Sequence, residues 1–132
     1  MPRTPTDLFE KDLGEGRPMN TTLAGREGEA KAAEYLRKKR YEILGANYRC
    51  RFGELDLIAK KRDLVIFVEV KLRKNDRFGA AADAVTPTKR DKLKKTALAW
   101  LAATNCTAPT RFDVIEVYTE SGQINHIENA FE

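Results

Sequence analysis

The spacing of apolar and polar residues changes period several times along the chain, and each change marks an element. From residue 22 to about 40, in AGREGEAKAAEYLRKKR, Ala, Leu, Glu and Lys recur at helical spacing. Thr21 or Thr22 can cap this helix, Glu27 and Glu29 suit its first turns, and the cationic run 37–40 suits its end. Residues 41–51 (YEILGANYRCR) read as an irregular strand, broken by Gly53. Residues 54–60 (ELDLIAK) form a second strand and 61–63 a tight turn. Residues 64–72 (LVIFVEVKL) are the strongest strand, β-branched and apolar enough for the middle of a sheet.

Residues 75–85 (NDRFGAAADAV) read as a loop centred on Gly79. Thr86 and Pro87 then open a helix to about Ala103, with Thr at the cap and Pro at the first helical position. Leu93, Ala97, Trp100 and Leu101 make its apolar stripe, while Arg90, Lys92, Lys94 and Lys95 lie mostly outside it. Residues 111–118 (RFDVIEVY) alternate as a strand, and 120–122 turn into a last strand at 123–127. Residues 1–20 carry Pro2, Pro5, Gly14, Gly16 and Pro18 without sustained period, which predicts a flexible tail before one domain at 21–132. The order α-β-β-β-α-β-β predicts an α/β fold, a mixed β-sheet flanked by α-helices.

Strand parity brings chemistry into this frame. In 64–72 the side chains of Val65, Phe67, Glu69 and Lys71 share a face, so a carboxylate and a lysine interrupt the most apolar strand. Burying a charge is costly unless it is paired or bound to a metal. In 54–60, Glu54, Asp56 and Ile58 fall on one face and Leu55 and Leu57 on the other. A three-residue turn predicts antiparallel pairing, which lets Asp56 and Glu69 meet. Two converging carboxylates suit Mg²⁺ or Mn²⁺, and Lys71 beside them could orient water or stabilise developing charge. A structural ion pair at a strand end is the alternative. Glu29 and Lys89 each put a charge on a helix face that should pack on the sheet, unless the stripes are wider and both snorkel outward.

Composition narrows the chemistry. The 132 residues include one Ser, one His and two Cys. A Ser-His-Asp triad would have to use Ser121 and His126, five residues apart near the end of the chain. A zinc site of four Cys or His ligands exceeds what Cys50, Cys106 and His126 supply. The cysteines read as small core residues with reduced thiols, which, without a secretory signal, point to the cytoplasm. No apolar run approaches the roughly 20 residues of a membrane span. Net charge is +4 overall, but residues 21–104 carry +9 between acidic ends. Such a block suits a polyanion, although a solvated charged surface explains it equally. Trp100 reads as core, and His126 as a structural or surface residue. Tyr48, Arg51 and Phe52 mix rings and charge in a way that could stack on bases, but they read first as core packing.

The stretches GREGEAKAAEYL, NYRCRFGELDLIAKKRDLVIFVEVKLR and FGAAADAVTPTKRDKL resemble the YraN-like family of bacterial proteins. That family is similar to archaeal Holliday junction resolvases and to the wider PD-(D/E)XK nuclease superfamily. The resemblance covers about residues 22–128 and implies a restriction-endonuclease-like fold. It implies metal ligands at Asp56 and Glu69, a catalytic lysine at Lys71 and an additional acid at Glu29. Glu54, Arg73 and Lys89 match further family positions. Leu55 stands where related nucleases carry a proline before the aspartate. The expectation is an Mg²⁺- or Mn²⁺-dependent endonuclease acting on DNA, including branched or damaged DNA. Arg51, Arg73, Arg77, Lys89 and Arg90 would contact the nucleic acid. By analogy with resolvases a homodimer is expected. The alternatives are a non-catalytic nucleic-acid-binding module of the same fold, or a scaffold domain in a DNA-processing assembly.

Overall fold

The computed structural model describes residues 23–75 and 85–132. The expected tail, the Thr21/Thr22 cap, most of the 75–85 loop and Arg77 lie outside the described residues. The elements are α1 (Leu23–Lys38), β1 (Glu42–Cys50), β2 (Gly53–Lys61), β3 (Leu64–Arg73), α2 (Pro87–Thr104), β4 (Thr110–Tyr118) and β5 (Ile124–Phe131). Their order matches the periodicity of the sequence. The strands form one mixed sheet in the order β1-β2-β3-β4-β5, antiparallel throughout except for the parallel pair β3–β4. A parallel pair needs a crossover, and α2 lies in that connection.

β3 is buried on both faces, as its composition predicts. Val65 and Phe67 join one half of the core with Leu93, Ala97 and Trp100 of α2. Ile66 and Val68 join the other half with Ala32, Ala33 and Leu36 of α1. Phe67 sits between the Trp100 ring at 5.8 Å and the Phe112 ring at 5.4 Å. Each such fully buried side chain contributes about 1.5–3 kcal/mol. Trp100 is therefore core, as expected. The two cysteines are free and half-buried, and Cys106 packs against the α2 side of the core.

Both helices are stopped by local hydrogen bonds. At the end of α1, Arg40 turns left-handed (φ 73°), its N–H donates to the Arg37 carbonyl, and the Tyr41 N–H reaches the Leu36 carbonyl at 2.9 Å. Asn105 (φ 55°) ends α2 in the same way, with the Cys106 N–H donating to the Leu101 carbonyl. Thr86 caps the start of α2, its hydroxyl accepting the Lys89 N–H, and Pro87 follows at the first helical position.

Three sequence expectations need correction. Leu55 and Leu57 do not share a face, for Leu55 packs with the α2 half of the core and Leu57 with the α1 half. Strict alternation fails because β1 and β2 are irregular here, with a bulge between Ile43 and Gly45 and a left-handed Asn47 (φ 56°). β5 extends to Phe131, past the expected end at Ile127, because a register shift around the left-handed Asn129 lets pairing resume. Phe52 is exposed at the β1–β2 turn, with the Arg51 guanidinium 4.8 Å from its ring centre.

A buried polar network ties β4 and β5 to α1. Asp113 is completely buried and receives two hydrogen bonds of 2.8 Å from Arg111. It also accepts the Asn129 N–H at 3.0 Å and lies 2.7 Å from His126 Nε2. A carboxylate can only accept, so Nε2 donates, which leaves Nδ1 of a neutral ring to accept from the Tyr35 hydroxyl at 3.2 Å. Arg111 also donates to the Tyr41 hydroxyl. Burial by itself would raise the Asp113 carboxyl, but the His126, Arg111 and Asn129 hydrogen bonds outweigh it and hold the group below its ordinary range. The Asp113 hydrogen bond, helped by Tyr41, drives the Arg111 guanidinium upward against its burial.

Candidate active site

The β2–β3 ladder runs from Lys61–Leu64 to Leu57–Val68. One residue further the strands part. There Asp56 turns its carboxylate into the gap, and Oδ2 accepts the Val70 N–H at 2.8 Å. β3 meanwhile stays paired with β4 from Val65 to Arg73, which fixes Glu69, Lys71 and Arg73 on a rigid strand. Gly28 lets α1 lie close to the end of β3, since a Cβ there would collide with the Leu72 side chain. That approach brings the next residue, Glu29, close enough to act on the Asp56 carboxyl. Asp56 and Glu69 therefore meet at the strand ends, with Glu29 of α1 within electrostatic reach of Asp56.

The electrostatics of this corner are strained. Burial, followed by the hydrogen bond and charge of Glu69, pushes the Asp56 carboxyl up to about 9, and Glu29 adds to the effect. The Val70 N–H opposes the shift without cancelling it. In the absence of a cation, protonated Asp56 thus donates to the Glu69 carboxylate. Lys89, in the first turn of α2, places its ammonium 3.2 Å from Glu69 Oε2. Burial disfavours the Lys89 charge, but Glu69 and the neighbouring Lys71 more than compensate and raise it. Lys71 moves the other way: burial, then Lys89, then Arg73 lower it, and only Glu69 resists. The expected packing position of Lys89 is therefore realised, with Glu69 as the reason.

The remaining expected contacts divide. Arg73 lies on the same face of β3 and pairs with Glu116 of β4 at 3.2 Å. Glu116 is itself buried and also accepts from Asn125 at 2.8 Å and Tyr118 at 3.3 Å. Arg51 is exposed at the β1–β2 turn. Arg90 turns away from the site, donating to the Val85 carbonyl at 2.9 Å and covering the Phe131 ring. Arg77 lies outside the described residues. Glu54 pairs with Arg49 across the β1–β2 hairpin at 3.5 Å. Glu116 carried a legible signal in the sequence, an acid inside the apolar alternation of RFDVIEVY, as Glu69 is in VIFVEVKL.

Two converging carboxylates, one buried and forced to hold a proton, fit a divalent cation that would replace that proton. Among the described residues no group of three or more His, Cys, Asp or Glu side chains is arranged to hold a metal. A cation on Asp56 and Glu69 would thus draw on water and substrate oxygens, as Mg²⁺ commonly does. No helix among the described residues is long and apolar enough to cross a membrane.

Comparison with known proteins agrees on one family. The family described as "Uncharacterised protein family UPF0102" matches residues 28–117, a span that holds Glu29, Asp56, Glu69 and Lys71. A UPF0102 protein of Syntrophomonas wolfei is 50% identical over 116 residues, covering 86% of this chain and 100% of the relative. One of Caldicellulosiruptor saccharolyticus is 46% identical over 120 residues, again across 86% of this chain and all of the relative. One of Vibrio parahaemolyticus is 45% identical over 108 residues, or 80% of this chain and 89% of the relative. The chain belongs to the UPF0102 family.

Proposed function

We propose that the chain is a PD-(D/E)XK-type endonuclease that hydrolyses phosphodiester bonds in DNA with a divalent cation. One observation carries the reading: the Asp56 carboxyl meets Glu69 at the parted ends of β2 and β3 and is pushed upward there, beside a lysine whose charge is disfavoured. Structural ion pairs lower their acids and raise their bases, as Asp113 and Arg111 do. Here an acid is raised and a base lowered, which marks groups arranged for exchange of protons or ligands.

Asp56 and Glu69 would hold Mg²⁺ or Mn²⁺. When bound, the ion supplies positive charge to the phosphoryl oxygens and acidifies a coordinated water. Lys71, with its ammonium form disfavoured, can accept a proton from the attacking water or orient it. Lys89 neutralises Glu69 and presents its ammonium toward an incoming phosphate. Buried Glu116 steadies Arg73 along the same strand end for a backbone contact. The +9 block at 21–104 supplies the wider attraction to a polyanion.

The test is a gel assay on linear and branched DNA with Mg²⁺ or Mn²⁺, comparing wild type with Asp56→Ala and Lys71→Ala. Cleavage by wild type and its loss in both variants is the expected result. Equal cleavage by all three proteins would sink the assignment. Salt-dependent binding with no cleavage of any substrate would favour a binding module of this fold.

A further inference from the structure

A groove of about 480 Å³ runs between α1 and β1 and opens next to the candidate active site. Its size falls in the roughly 300–1,000 Å³ range of small-ligand sites. One stripe of α1 forms its wall: Arg26, Glu29, Ala30, Ala33 and Arg37, spaced at helical intervals. Gly45 and Ala46 of β1 keep the opposite wall low. Two features join the groove to the site. Glu29 lines the groove and also acts on the Asp56 carboxyl. Asn47 lines it too, and the register Ala46–Leu57 and Tyr48–Leu55 places Asn47 across from Asp56.

We propose that this groove seats a short unpaired run of the DNA strand next to the bond to be cut. The preferred substrate would then be DNA with a single-stranded segment at the cleavage point. This inference rests on the nuclease reading of the Asp56–Glu69 site. The argument is one of shape and charge. A helix packed beside a strand leaves room for a single chain and not for a duplex. Arg26 and Arg37 stand at the two ends of the stripe, roughly 16 Å apart along the helix axis. Both are exposed, and no carboxylate pairs with either among the described residues. They can therefore grip phosphates at each end, as basic grooves for single strands do.

Between them the wall is small and apolar at Ala30 and Ala33, where a base or sugar could lie. Asn47 Oδ1 is buried there without a hydrogen-bond partner among the described residues. A buried acceptor of this kind is costly, so the Asn47 side chain gains by turning its amide toward a donor, such as the exocyclic amine of a base, that enters the groove. Glu29 lies one turn from Arg26, at the end of the stripe next to Asp56, and its carboxylate favours an amino-bearing base edge over a phosphate there.

The test uses the full chain and one DNA sequence in three forms: blunt duplex, duplex with a single-stranded tail, and single strand. Fluorescence anisotropy reads binding in an Asp56→Asn background, and wild-type cleavage is mapped on the same DNAs. The expected result is a preference for the tailed over the blunt form of roughly ten-fold. Arg26→Gln with Arg37→Gln should reduce that preference to near unity, with a smaller loss of affinity on the blunt duplex than on the tailed form. Ala30→Leu, on an exposed helical position, should do the same by filling the groove without changing charge. An equal loss on all three DNAs, or no preference in the unsubstituted groove, overturns the proposal. Cleavage of blunt duplex without any preference overturns the groove assignment alone. No binding or cleavage of any DNA overturns the nuclease reading and this inference together.

Discussion

The molecule contains two clusters of buried charge, and they behave in opposite ways. At the start of β4, Asp113 is surrounded by donors from Arg111, His126 and the Asn129 backbone. Its carboxyl falls below the ordinary range and Arg111 rises above it. At the parted ends of β2 and β3, Asp56 faces Glu69 and Glu29, and Lys71 faces Lys89 and Arg73. There the acid is raised and the base lowered. Complementary neighbours make the first cluster a rivet between β4, β5 and α1. Like-charged neighbours leave Asp56 and Lys71 of the second uncompensated, although Lys89 pairs with Glu69. Burial alone distinguishes neither; the sign of the neighbours does.

The widest separation should come from catalysis. Asp56→Asn and Lys71→Met should each lower DNA cleavage by about 10³–10⁴-fold, equivalent to about 4–5.5 kcal/mol, with the fold intact by circular dichroism. Asp113→Ala should instead destabilise the chain by about 3–5 kcal/mol in denaturant titration, because Arg111, His126 and the Asn129 N–H all lose their buried acceptor and Arg111 keeps only the Tyr41 hydroxyl and the longer pair with Glu128. Comparable cleavage loss in both sets, with no difference in stability, would erase the distinction.

The next effect runs against the usual direction for a polar substitution. Asp56 has its folded pKa raised, so the folded state holds a proton that the unfolded state releases above about 4. The metal-free protein therefore loses stability as pH rises from about 4 toward 9. Asp56→Asn should remove that loss, stabilising the metal-free protein by on the order of 2 kcal/mol at pH 8 and by little near pH 4. Asp113 has the opposite sign: its contribution is present above the unfolded carboxyl range and fades as pH falls through its lowered folded value. Thermal melts of the two variants across pH read both slopes.

The smallest effect concerns the cation. At a free Mg²⁺ concentration roughly ten times Kd, wild type should gain about 1.4 kcal/mol, and Asp56→Asn should gain much less. The gain should grow as pH rises toward 9, since the Asp56 proton must leave before the ion binds. A pH-independent shift, or an equal shift in the variant, would count against an ion at Asp56.

Much of this was legible in the chain. The apolar run of β3 placed it at the sheet centre, and its interruption at Glu69 and Lys71 pointed to the candidate site. Thr86 and Pro87 fixed the start of α2 because local capping geometry depends on few residues. Less legible was Leu55, whose side chain departs from alternation where β1 and β2 are irregular. Arg90 read as a surface cation, yet its guanidinium is drawn to the nearby Val85 carbonyl and to the Phe131 ring, the latter from a segment far away in sequence. His126 is structural, one of the two roles its sequence context allowed, but its partners Asp113, Tyr35 and Tyr41 come from three other segments and were not legible.

The sequence by itself therefore determined the order of elements, the central strand and the residue types able to do chemistry, because periodicity and capping are local. Only the tertiary structure decided which charges meet. It turned Asp56 into the gap between β2 and β3, brought Glu29 across from α1 past Gly28, and set Lys89 on Glu69. It also gave Asp113 the complementary neighbours that Asp56 lacks. Electrostatic character depends on distances of a few ångström between segments remote in the chain, and those distances exist only once the sheet and both helices have packed.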